Sequence, residues 1–166
     1  MKAPLHSLYT NEVSPEFLCR LDDSPFTKEQ LAGFNDEIMT IMHRRQAYSE
    51  EHPPCAIYRV ATEGSQTRDG GVVQQSAAPL VYTLDCGRRV TAAQKGDYVV
   101  YADGRTAQIV TGVGQGCSDL ALVGSRLSNG DEIINTLQSG HLFIAREGVS
   151  MAEDFLPSIG GAETNE

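Results

Sequence analysis

The chain has 166 residues, room for one domain or for one small domain with an extension. Its net charge is −9, from 22 acidic and 13 basic residues, and the basic ones are scattered, which excludes nucleic acid as the main partner. It is 40% hydrophobic, enough for a core, but its apolar runs are too short to cross a bilayer, so no stable membrane insertion is expected.

The opening Met1-Lys2-Ala3-Pro4-Leu5-His6 has no apolar stretch of the kind a secretory signal needs, so export would take another route. Cys19, Cys55, Cys86 and Cys117 stand far apart with no C-x-x-C pair, which excludes a zinc ribbon or a dithiol redox motif. They read as reduced or buried thiols of a cytoplasmic protein. An even count still leaves disulfides open.

Composition divides the chain near residue 58. Only Gly33 precedes residue 59, and five of the seven prolines lie in that first part, with Pro53-Pro54 at the joint. The division predicts a helical N-terminal extension over 1–58, a β-domain over 59–150 and a flexible acidic tail over 151–166.

In the extension, Thr27-Lys28-Glu29-Gln30 has the form of a capping box. Leu31, Phe34, Ile38, Ile41 and Met42 follow at helical spacing, with Asp36 and Glu37 early and His43, Arg44 and Arg45 late, as the helix dipole favours. The pattern predicts one helix over about 27–50. Its apolar stripe either packs on the β-domain or docks a partner.

The second part is mainly β, short strands joined by tight turns. Strands are expected at 80–84, 90–93, 98–101, 106–111 and 141–145, and Asp85-Cys86-Gly87, Lys95-Gly96-Asp97, Asp103-Gly104 and Asn129-Gly130 are the turns. Asp69, Asp85, Asp97, Asp103, Asp119 and Asp131 fall at turns, where aspartate bonds its own backbone. Gly112-Val113-Gly114-Gln115-Gly116 lacks the Lys-Ser/Thr of a phosphate loop and reads as a hairpin loop. His6, His43, His52 and His141 are isolated, and Ser125 lacks the second glycine of a nucleophile elbow.

Three β-segments share a plan: Gly64-Ser65-Gln66-Thr67-Arg68-Asp69-Gly70-Gly71-Val72-Val73, then Gly96-Asp97-Tyr98-Val99-Val100-Tyr101, then Gly124-Ser125-Arg126-Leu127-Ser128-Asn129-Gly130. The second and third each follow a small-apolar lead-in, Ala92-Ala93-Gln94-Lys95 and Ala121-Leu122-Val123. Over about residues 59–147 the chain resembles the PAAR-repeat family, the tip proteins of type VI secretion and related contractile injection machines. The residues that carry the resemblance are Gly64, Thr67, Asp69, Gly70, Gly71, Gly96, Asp97, Gly124, Asn129 and Gly130. The resemblance implies a small β-cone whose base sits on a trimeric VgrG-type spike. It also implies a structural role without a catalytic group, in a protein that waits in the cytoplasm and is then secreted through the machine. Leu31, Phe34, Ile38, Ile41 and Met42 would serve as the partner-binding stripe, toward an effector or its chaperone.

Members of that family hold a zinc ion near the tip with three His and one Cys. Here the opening block's His matches Asp69, the second block's Cys matches Tyr101, and the last block's Cys falls at Asn129. None of these is an imidazole or a thiolate, and neither His141, Cys86 nor Cys117 has a supporting spacing. The expectation is no metal or other cofactor, with the tip held by packing and hydrogen bonds. A second reading of the same strands is a small SH3-like barrel acting as an adaptor. The two readings differ in whether the three glycine blocks converge at one end. An enzyme is not expected, since the chain outside the β-part is short for a catalytic domain.

Overall fold

A computed structural model describes residues 8–23, 26–117, 119–151 and 155–156. The architecture is mainly β, small sheets of short antiparallel strands with an N-terminal helical region. Two compact units emerge. One is Glu12–Ile57 with Ile144–Ser150; the other is Tyr58–Phe143 with the described residues of Met1–Asn11 and Met151–Glu166. The breaks after Ile57 and Ser150 lie within one residue of the expected divisions, and further breaks after Asn11 and Phe143 place residues 8–11 with the β-unit and residues 144–150 with the helical one. Tyr9 exchanges backbone hydrogen bonds with Thr136 at 2.8 and 2.9 Å, so residues 8–11 serve the β-unit and not a helical extension.

In the helical unit, α1 (Pro15–Arg20) starts at Ser14, whose side chain accepts the Phe17 N–H. The capping box forms as expected: Gln30 N–H donates to Thr27 Oγ1 at 3.1 Å, and Thr27 N–H donates to Gln30 Oε1 at 2.8 Å. The single helix expected over 27–50 is instead two, α2 (Lys28–Ala32) and α3 (Asp36–Glu51). The break has a local cause. Asn35 Oδ1 accepts the Ile38 N–H at 2.9 Å and starts a new helix, with Asp36 and Glu37 in its first turn. Phe34, between the two helices, meets Phe26 edge-on with ring centroids 5.0 Å apart.

Strand β1 (Pro54–Arg59) pairs with the last strand, β7 (Leu142–Arg146). Between them run β2 (Val72–Val73), β3 (Val81–Thr83), β4 (Arg89–Thr91), β5 (Tyr98–Val100) and β6 (Thr106–Gln108). β3 and β4 form a hairpin of their own, with Tyr82 opposite Val90, closed by the expected turn at Asp85-Cys86-Gly87.

Residues 65–73, 97–109 and 125–133 form a closed ring of three hairpins. Gln66 bridges Val72 within the first, β5 pairs with β6 within the second, and Arg126 bridges Glu132 within the third. Val73 pairs with Val99, Ile109 with Leu127, and Ile133 with Thr67, which joins each hairpin to the next and the last to the first. Every step is antiparallel, so all three hairpin turns lie at the same end of the ring. Closure also leaves no open edge in this part of the sheet.

The hairpins repeat one another bond for bond. Gly64 N–H donates to the Val73 carbonyl at 2.8 Å, Gly96 to Ile109 at 2.7 Å, and Gly124 to Ile133 at 2.8 Å. Thr67 N–H reaches the Gly71 carbonyl, Tyr101 that of Arg105, and Leu127 that of Asp131, all at 2.9 Å. Gly64, Gly96 and Gly124 sit at φ +86°, +96° and +107°, a left-handed conformation that glycine adopts at little cost. The second hairpin is longer, twelve steps from Asp97 to Ile109 against eight from Ser65 to Val73 and from Ser125 to Ile133.

Alternation places Val73, Val99, Ala107, Ile109, Leu127 and Ile133 inside, together with Ala61, Ala93 and Ala121. Their removal from water drives closure, at roughly 1.5–3 kcal/mol for each large aliphatic side chain. A second cluster gathers Val60, Ala92, Leu120 and Leu122, with Phe155 and Leu156 packed against it. Those two residues are thus part of the β-unit and not of a flexible tail; the remainder of 152–166 lies outside the described residues. The four cysteines are free, and all are exposed where burial was one expectation.

Candidate functional site

At the end opposite the hairpin turns, the ring is tied by three alanines. Ala61 N–H donates to Ala121 O at 2.8 Å, Ala93 to Ala61 at 2.9 Å, and Ala121 to Ala93 at 2.8 Å. The three are fully buried, and only a small side chain fits where three backbones meet. Around the triangle the three glycine blocks occupy equivalent places. Thr62 N–H donates to Ser65 Oγ at 3.0 Å, Gln94 N–H to Asp97 Oδ2 at 2.7 Å, and Leu122 N–H to Ser125 Oγ at 2.9 Å. Ser125 is therefore a buried turn residue, and Asp97 bonds its own turn as expected.

The hairpin-turn end carries a different chemistry. Tyr101, in the long hairpin, donates its hydroxyl to Asp131 Oδ2 at 2.6 Å and accepts from Asn129 Nδ2 at 3.0 Å. The other Asp131 oxygen, Oδ1, accepts the N–H of Glu132 at 2.7 Å and that of Asp69 at 3.2 Å. The Thr67 hydroxyl bonds Asp131 as well and accepts the Gly71 N–H at 2.8 Å. All three hairpins meet in this knot: Thr67, Asp69 and Gly71 from the first, Tyr101 from the second, Asn129 and Asp131 from the third.

Gly71 shows how closely they meet. A Cβ there would lie 2.4 Å from Val99 Cγ1 and 2.9 Å from Tyr101 Cε1. Of the ten residues that carry the family resemblance, Gly64, Gly96, Asp97 and Gly124 stand at the alanine end. Thr67, Asp69, Gly70, Gly71, Asn129 and Gly130 stand at the turn end.

Asp131 is only 3% exposed. Burial pushes its carboxyl up, but the hydrogen bonds from Thr67, Tyr101, Glu132 and Asp69 outweigh this and hold it below its ordinary value. The Tyr101 phenol is pushed up, by burial first and then by donating to Asp131. The exposed pairs Arg68–Glu132 and Arg105–Asp103 surround the knot, with the Arg105 guanidinium over the Tyr101 ring at 5.7 Å.

A zinc ion does not fit this donor set. The side chains that converge are one carboxylate, a phenol, a primary amide and a hydroxyl, and both carboxylate oxygens already accept hydrogen bonds. The Asp69 carboxylate is not among them; it is the Asp69 backbone that reaches Asp131. Among the described residues no group of three or more His, Cys, Asp or Glu side chains is placed to hold a metal. His141 instead bonds the Tyr82 hydroxyl, whose acidity burial suppresses.

The sequence pattern places Asp131 at a turn, whereas the structure turns its carboxylate inward. The available signal was its place two residues after Asn129, at the position Gly71 takes in the first hairpin.

The apolar stripe of the helical unit is not a single face. Leu31 and Met42 line a groove of about 1270 Å³ in that unit, with Leu21, Phe26 and Met39. Ile38 and Ile41 are 41% and 55% exposed, and Phe34 is half-buried against Phe26. No described helix is long and apolar enough to cross a membrane. Comparison with protein-family models, with curated proteins and with solved structures gives no match.

Proposed function

We propose that this chain is a PAAR-like tip protein, a structural piece that caps a VgrG-type trimeric spike of a contractile injection machine. One observation carries the reading: three hairpins close into a ring of near-threefold repetition, tied at one end by the Ala61–Ala93–Ala121 triangle. A body with three equivalent faces matches a threefold partner, since each subunit of the trimer then meets the same backbone pattern. The same observation favours the tip over the SH3-like adaptor, because the glycine blocks at Gly64, Gly96 and Gly124 converge at one end.

In this reading the protein acts by shape and stiffness and needs no catalytic group. It waits in the cytoplasm and leaves the cell through the machine. Ile38 and Ile41 are the part of the apolar stripe offered to an effector or its chaperone.

Affinity purification of the tagged chain from its own cells, followed by mass spectrometry, tests the reading. Recovery of a VgrG-type spike chain is the expected result. Recovery of other proteins with no spike component would replace it with the adaptor.

A further inference from the structure

We propose that hydrogen bonds among Tyr101, Asn129 and Asp131 take the place of a metal cross-link at the turn end of the ring, so that the three hairpins are held together with no bound zinc. The comparison with a metal rests on the tip-protein reading; the knot itself does not.

A tip zinc would join the hairpin ends by ligands contributed from different turns. Here that task falls to a different chemistry at the same end. Tyr101 bridges two groups of the third hairpin by accepting from Asn129 Nδ2 and donating to Asp131 Oδ2. Asp131 extends the link to the first hairpin through the Asp69 N–H and the Thr67 hydroxyl. Its own N–H donates to Asn129 Oδ1 at 3.0 Å, which fixes the amide so that its NH₂ faces the phenol.

The longer second hairpin makes this possible. Its additional pleat carries Val99 inward, and Tyr101 follows at the next inward position with its ring over Gly71. Gly71 leaves the space that the ring fills. A buried network of this kind is stable only when each member is satisfied, and both Asp131 oxygens are.

The test uses the full chain purified without added metal, with metal content by mass spectrometry and melting followed with a chelator and with added zinc. The expected content is below about 0.1 zinc per chain, with a melting temperature that neither chelator nor zinc moves. Tyr101→Phe, which removes only the bridging hydroxyl, is expected to lower melting by about 4–8 °C, with no recovery on adding zinc.

Asp131→Asn in the Tyr101→Phe background should lose less than the sum of the two single changes. Where Asp131→Asn does not fold, Asn129→Ala takes its place in the same cycle. Zinc near one per chain, a chelator-dependent drop in melting, or a Tyr101→Phe variant that melts like the parent would each overturn the proposal. Failure to capture a spike would refute the tip reading and leave this proposal standing. Zinc dependence would do the reverse.

Discussion

Ala61 donates its N–H to the carbonyl of Ala121, sixty positions away, at 2.8 Å. With the Ala93–Ala61 and Ala121–Ala93 bonds this makes a closed triangle in which each alanine gives one hydrogen bond and accepts one. The positions are equivalent, so the same insult at each should have the same effect. Ala61→Val, Ala93→Val and Ala121→Val are each expected to destabilise by about 1–3 kcal/mol through overpacking. The exposed Ala102→Val should change stability by less than about 0.5 kcal/mol. Denaturant unfolding of the four variants checks this.

Gly71 lies beneath the Tyr101 ring, and an added methyl would meet Val99 Cγ1 at 2.4 Å. Gly71→Ala is expected to cost about 1–3 kcal/mol. Gly140, which has open space around its Cβ position, is the control, expected within about 0.5 kcal/mol of the parent.

The Asp131 carboxyl is held below its ordinary value in the folded state. Its contribution is therefore fully present above the ordinary carboxyl pKa and is lost as pH falls through the lower folded value. Asp22, lowered first by its hydrogen bond from Arg146, acts in the same direction. Arg68, Asp69, Asp103, Arg105, Arg126 and Glu132 are the charged side chains of the surrounding turns. Melting temperature recorded from neutral pH down to roughly pH 3 should fall less steeply for Asp131→Asn than for the parent.

Ile41 is 55% exposed on α3. Ile41→Asp is expected to leave stability within about 0.5 kcal/mol and, if the tip-protein proposal holds, to reduce recovery of an effector or its chaperone in affinity purification. Asn35→Ala, which removes the cap that separates α2 from α3, should instead destabilise the helical unit by about 1 kcal/mol.

Local chemistry made the turns legible in the sequence. Asp103-Gly104 and Asn129-Gly130 both close hairpins, with Gly104 and Gly130 at φ +88° and +89°. The capping box at Thr27 was legible for the same reason, since both partners lie within one helical turn. At Asn35 two local signals conflict: an asparagine followed by two acids starts a helix, while the apolar spacing continues across it as though it were interior.

Closure was not legible. It depends on pairs such as Thr67 with Ile133, which no local pattern specifies. The inward turn of Asp131 was hidden for a related reason. Aspartate beside Asn-Gly ordinarily bonds its own turn, and it is the bonds from other hairpins, from Thr67 and Asp69 of the first and Tyr101 of the second, that make burial of its charge tolerable.

Native mass spectrometry of the complex recovered from the protein's own cells would decide whether a near-threefold ring caps a threefold spike. One copy of this chain with three copies of a VgrG-type chain is the expected result. Recovery of the chain with no trimeric spike, or at one copy per spike subunit, would contradict it.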